Sequence, residues 1–197
     1  GGDVLAGTEV GTAAAAGAAE PEGTTAGDAR EELTLPTTSY VKLRELKSAA
    51  ERNGQVGVLE GFDSATGRYT VALRDGTRLA LRRANLLQML SVRLTGLEGE
   101  HARHNAEQGT IFEYDDVAGM YGVELNSGEA VPVPIGCVVF SNAAVATVGG
   151  LQGAPQYNGA LAVVMSHDDE TGRYVAEVDD GSGGRKSLKL RRQNLRA

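Results

Sequence analysis

The sequence predicts an all-β chain: three tandem, five-stranded small barrels preceded by an extended, low-complexity N-terminal tail. Three observations carry that expectation. A pattern recurs at intervals of 52 and 53 residues, marked by Asn53, Asn105 and Asn158. Within each copy, apolar and polar residues alternate as they do on a strand with one buried face. Asp-Gly or Ser-Gly pairs stand between the alternating runs, where tight hairpins form.

Residues 1–36 form the expected tail. They are mostly Gly, Ala, Thr and Glu, with Pro21 and Pro36, and hold few large aliphatic residues, Val4 and Leu5 among them. Such a composition buries too little surface to offset the entropy of ordering, so in isolation the tail is expected to be disordered. Order would require a partner, with Val4 and Leu5 as anchor points. Its acids set it apart from a transit peptide, which is acid-poor and Arg-rich.

The first unit is expected over 37–91. Val41, Leu43 and Leu46 open it as a strand, and a loop follows to Asn53. Gly57 sits mid-strand, where the chain must coil sharply. Tyr69, Val71 and Leu73 then alternate with Arg68, Thr70 and Ala72, and Asp75-Gly76 turns into Leu79 and Leu81, flanked by Arg78 and Arg82. An Asn85-Leu86 turn leads to a short last strand. The second unit, 92–145, repeats the triplet as Val92, Leu94 and Leu97, with Gly109, Tyr121 and Ser127-Gly128 in the same order. Pro132 and Pro134 interrupt its fourth strand, which must lie at a sheet edge because proline has no ladder donor. The third unit, 146–197, carries Ala146, Val148 and Leu151, then Tyr174, then a longer tip from Asp180-Gly181 to Gly184. Copies one and three share Thr-Gly-Arg-Tyr at 66–69 and 171–174, and Leu-Arg-Arg-x-Asn-Leu at 81–86 and 190–195.

The string Gly61-Phe62-Asp63, Thr66-Gly67-Arg68-Tyr69, Asp75-Gly76 and Leu81-Arg82-Arg83-Ala84-Asn85-Leu86 resembles the SH3-like (Tudor/KOW-like) small-barrel repeats of algal and protist multidomain proteins. The likeness runs over about residues 40–197 and is weaker in the second copy. It implies packing and adaptor modules with no catalytic residues to carry over, and a place in an organellar, photosynthetic (plastid) assembly. Cores of roughly 50 residues are marginal alone, so the units are expected to lean on one another.

Charge narrows the function. The net charge is −7 and the pI about 5.0, which opposes nonspecific binding to nucleic acid. Sign alternates along the chain: residues 37–92 hold nine bases and five acids, whereas residues 93–145 hold two bases and eight acids. Arg78, Arg82 and Arg83, with Arg191 and Arg192, are therefore expected to form basic faces. Glu113, Asp115 and Asp116 form the acidic face they would meet, on this chain or on a partner.

Other constellations fall short of chemistry. Cys137 stands alone, which excludes an intrachain disulfide and a thiolate zinc site. His101 and His104 lack further ligands and read as a solvated loop. Ser166-His167-Asp168 lists triad residues consecutively, but neighbouring strand residues point to opposite sides. Gly181–Ser187 lacks the strand-to-helix context of a phosphate loop. An aromatic cage for methyl-lysine needs several convergent rings, and only the second copy, with Phe112 and Tyr114 besides Tyr121, comes close.

The expected function is a non-enzymatic structural or adaptor subunit that binds other protein subunits. It is expected to use no cofactor, metal or small-molecule substrate, and to meet membranes only through its partners. The alternative is a chromatin or RNA binding module of Tudor/KOW type, and a third reading is the regulatory piece of a longer enzyme.

Overall fold

A computed structural model describes residues 33–180 and 184–197 of the chain. Val4, Leu5 and the 181–183 part of the third hairpin tip lie outside the described residues. The rest forms fifteen strands in three five-stranded antiparallel sheets, compatible with SH3-like barrels, joined by short 3-10 turns.

Unit 1 contains β1 (Tyr40–Leu43), β2 (Val56–Asp63), β3 (Arg68–Leu73), β4 (Arg78–Leu81) and β5 (Leu86–Gln88), ordered β4-β3-β2-β1-β5. Unit 2 follows with β6 (Ser91–Leu94), β7 (Gln108–Asp115), β8 (Met120–Leu125), β9 (Ala130–Pro134) and β10 (Val138–Phe140). Unit 3 has β11 (Val145–Val148), β12 (Leu161–Asp168), β13 (Arg173–Asp179), β14 (Arg185–Arg191) and β15 (Leu195–Arg196). All three sheets share one order, and the proline-containing β9 lies at an edge, bonded only to β8. Each long second strand slips register once, leaving Glu60, Phe112 and Met165 as the extra residues of a bulge that bends it.

The repeated asparagines have one task. Each side-chain amide accepts from, and donates to, the backbone of the third apolar residue of its unit: Asn53 to Leu46, Asn105 to Leu97 and Asn158 to Leu151, all at 2.8–3.2 Å. The amide thereby acts as a detached peptide group that closes the loop after the first strand. The next residue turns left-handed, with φ of 85° at Gly54 and 89° at Gly159; unit 2 places Ala106 there at 71°.

Gly57 and Gly109 serve close packing. A Cβ on Gly57 would lie 2.5 Å from Val71 Cγ1, and one on Gly109 2.7 Å from Val123 Cγ1. Unit 3 makes a matched exchange, with Ala162 in the glycine's place and Ala176 in the valine's, both fully buried. The core gains a methyl on one strand and gives up two on the next.

The cores are not private. Apolar residues of units 2 and 3 form one cluster, joined by Leu87 of β5. Unit 1 builds its own around Val41, Leu43, Leu59 and Val71, and takes in Leu35 from before β1 and Val145 from unit 3. Leu33 and Leu35, at the end of the expected tail, thus pack with unit 1. The repeated tyrosines tie these parts together. The Tyr69 hydroxyl accepts the Leu35 N–H at 3.2 Å, Tyr174 that of Phe140 at 2.8 Å, and Tyr121 that of Ala197 at 3.0 Å. Burial pushes Tyr121 and Tyr174 up to about 12, so both hydroxyls stay neutral and keep these bonds through ordinary pH.

Two stability measurements check this packing. Gly57→Ala is expected to cost about 1–3 kcal/mol. Adding Val71→Ala, which copies the unit 3 pair, is expected to leave the double variant at least ~0.5 kcal/mol more stable than the two losses summed, as read from denaturant melts. Tyr174→Phe strands the buried Phe140 N–H, with an expected loss of about 1–3 kcal/mol.

Candidate functional site

The acidic residues singled out from the sequence gather on unit 2, around the bulge of β7 and the turn after it. Phe112 is the extra residue of the bulge, lying where Gly122 on β8 leaves room; a Cβ there would come within 2.9 Å of its ring. Glu113, Tyr114, Asp116 and Val117 continue the wall of an open groove of about 800 Å³, with Pro132 opposite. Val117 is fully exposed at the lip.

The three acids differ in role. Asp115 accepts the Val117 and Ala118 N–H groups at 2.9 and 3.0 Å, which makes it the turn former. Asp63 and Asp168 do the same in their units, where hydrogen bonds from the turn hold both carboxyls below the usual carboxylate range. Glu113 and Asp116 have no such duty and face water. Asp116 lies 4.0 Å from Arg44 of unit 1.

Two cations of unit 1 already lie over the groove's rings. Lys42 Nζ is 5.7 Å from the Phe112 centroid, and the Arg44 guanidinium is 5.9 Å from that of Tyr114. Within unit 3, Lys186 lies over Tyr157 at 5.7 Å, a pair of different placement. The sequence pattern did not single out Lys42 and Arg44. The one available signal was that Lys42 and Arg93 hold the same place in β1 and β6, and both end up between units, since Arg93 pairs with Asp169 at 2.6 Å.

The basic residues separate. Arg78 pairs with Glu60 inside unit 1 at 2.7 Å. Arg83 reaches unit 3, donating to Thr147 Oγ1 at 2.9 Å as well as to the Leu86 carbonyl of its own unit at 2.6 Å, and burial lowers its pKa from the ordinary guanidinium value. Arg192, at the same place in unit 3, donates to the Gly136 carbonyl of unit 2 at 2.7 Å. Arg82 and Arg191 are exposed on the outer side. None of these five touches the acidic groove; Arg44 meets it instead.

Of the two histidines expected in a solvated loop, His104 is instead buried, at the end of a 3-10 turn, with Glu107 and Glu129 at 3.3 and 3.6 Å. His167 packs edge-on against Tyr174 at 4.8 Å, and its Nδ1 lies 3.1 Å from Asp169, not Asp168. Among the described residues, no group of three or more His, Cys, Asp or Glu is placed to hold a metal ion, and no helix is long and apolar enough to cross a membrane.

No protein-family model matches this chain, and the curated proteins contain no match to it.

His167 yields a pH prediction. Phe62 and Tyr114 hold its place in the other units, each against its own tyrosine at 4.6 and 5.0 Å. Burial lowers the His167 pKa from 6.5, helped by Arg192 and Arg93 and opposed by Asp169. The unfolded chain therefore binds the proton first as pH falls, and stability present above about 6.5 is lost below it. His167→Phe is expected to lose less melting temperature than the native chain between pH 7 and 5.

Proposed function

We propose that the three units are SH3-like barrels and that the chain is a non-enzymatic adaptor, its second unit capturing a basic segment of a partner protein. The observation that carries this reading is that Lys42 and Arg44 lie over Phe112 and Tyr114, two of the rings that line the groove, with Arg44 4.0 Å from Asp116. A surface that attracts two cations of its own chain is built to attract others. Glu113 and Asp116 provide long-range attraction, the ring faces provide short-range contact, and Val117 offers an apolar edge. The intramolecular pairs are half-buried, with the Asp116 carboxylate exposed, so an incoming arginine or lysine can add to them or displace them.

Support also comes from the fate of the arginines. Arg83 and Arg192 hold units together, which takes two of the five basic residues away from any stripe that could follow a nucleic-acid backbone.

The test titrates a labelled, glycine-spaced tetra-arginine peptide into the protein and follows fluorescence anisotropy. Binding is expected to weaken with salt, and Glu113→Gln with Asp116→Asn is expected to reduce affinity by about 3- to 10-fold. A tetra-glutamate peptide should not bind. Equal binding of both peptides, or tighter binding of a single-stranded RNA oligonucleotide than of the tetra-arginine peptide, would overturn the reading.

A further inference from the structure

Each sheet ends in a fourth strand, β4, β9 or β14, that is bonded on one side only, and the three units treat that edge differently. In antiparallel pairing every second residue turns its N–H and C=O away from the neighbouring strand, and an edge left open in this way invites another strand. Unit 1 keeps β4 to four residues, and Arg68 donates to the outward carbonyl of Ala80 at 2.8 Å. Unit 2 sets Pro132 and Pro134 opposite Gly122 and Met120, and neither proline has an N–H to offer. Unit 3 does neither. Its β14 runs for seven residues, and the bond from the Asp180 N–H to the Gly184 carbonyl fixes the phase, so that Arg185, Ser187 and Lys189 turn their main-chain groups outward. Among the described residues, nothing bonds to those groups. The side chains of Arg185, Lys189 and Arg191 are exposed along the same strand, and none forms an ion pair with a described residue.

We infer that this edge receives the chain's own acidic segment, residues 20–32, paired along β14 and antiparallel to it. Three observations select that occupant. The first is charge. β14 carries Arg185, Lys186, Lys189 and Arg191, whereas the segment holds Glu20, Glu22, Asp28, Glu31 and Glu32 against the single base Arg30. A row of cations closes an edge to a copy of itself and leaves it open to an acidic strand. The second is position. Leu33, the first described residue, lines a hollow of about 310 Å³ together with Leu161 and Asp179 of unit 3, and Asp179 is the ladder partner of Arg185. The chain ahead of Leu33 therefore starts at the Arg185 end of β14, and following the edge toward Arg191 makes it antiparallel. The third is length, since about seven extended residues cover such a strand and 32 precede Leu33. Tethered there, the segment has an effective concentration on the order of millimolar, so main-chain bonds and individually weak ion pairs suffice.

Residue-resolved amide hydrogen exchange of the full chain tests the inference. The outward amides of Ser187 and Lys189 are expected to be protected at least about tenfold over an unstructured peptide, and less so as salt rises. Neutralising the segment with Glu20→Gln, Glu22→Gln, Asp28→Asn, Glu31→Gln and Glu32→Gln is expected to abolish that protection. Leu188, whose N–H turns inward to β13, keeps its own and reports that the unit is folded. Arg185→Glu with Lys189→Glu is expected to act like the neutralised segment. Joining that pair to Glu20→Lys, Glu22→Lys, Asp28→Lys, Glu31→Lys and Glu32→Lys is expected to restore protection. Outward amides that exchange as fast as in a peptide leave the edge to a partner and overturn the inference. So does protection indifferent to the neutralised segment, or protection that grows with protein concentration, which assigns the edge to the segment of a second molecule.

Discussion

The structure depends on a tyrosine hydroxyl that accepts a main-chain N–H from outside the run of strands that surrounds it. A core built from some fifty residues leaves part of its wall open. Tyr69, Tyr121 and Tyr174 stand at those openings, and each fixes the segment that fills its own. Leu35 and Phe140 lie five residues ahead of the first strand they serve. Unit 2 cannot follow this plan, because only Met89 and Leu90 separate β5 from β6. It takes Ala197 instead, from the far end of unit 3. The shared core of units 2 and 3, entered also by Leu87, follows from that shortage of linker.

On this common frame the copies have diverged where they meet. The position of Arg83 and Arg192 in the first and third copies is held by Ile135 in the second, and each arginine reaches a different neighbour. Likewise the outward residue of the first strand is a tyrosine, a serine or a valine, and only the valine is covered, by unit 1. Interiors are conserved between copies in pattern and compensated in detail, as the exchange of Gly57 and Val71 for Ala162 and Ala176 illustrates. Exteriors record the assembly.

The strands, hairpins and buried tyrosines were legible because alternation and turn chemistry are local, and the prolines alone put β9 at an edge. The marker asparagines were visible as a repeat, whereas their pairing with Leu46, Leu97 and Leu151 depends on loop closure that no period encodes. The exposed row of Arg78 and Arg82 was legible, but the placement of Arg83 was not, for a definite reason. Alternation carried through β4 puts Arg82 and Arg83 on one strand, but the strand ends at Leu81 and Arg83 begins a 3-10 turn, which breaks the phase and aims it at unit 3. Of the candidate groove, the acids could be read from the sequence. The cations over its rings could not, since Lys42 and Arg44 approach from another unit.

The bond between Tyr121 and Ala197 spans 76 positions, and it sets an order of events during synthesis. Unit 1 can pair all five of its strands as soon as β5 leaves the ribosome, because Leu35 has already emerged, and Val145 joins its core later. The middle module must wait with an unclosed wall until the last one is complete, so the two mature together. A ribosome that stalls within the codons of unit 3 would therefore expose two incomplete interiors to the cell's quality control.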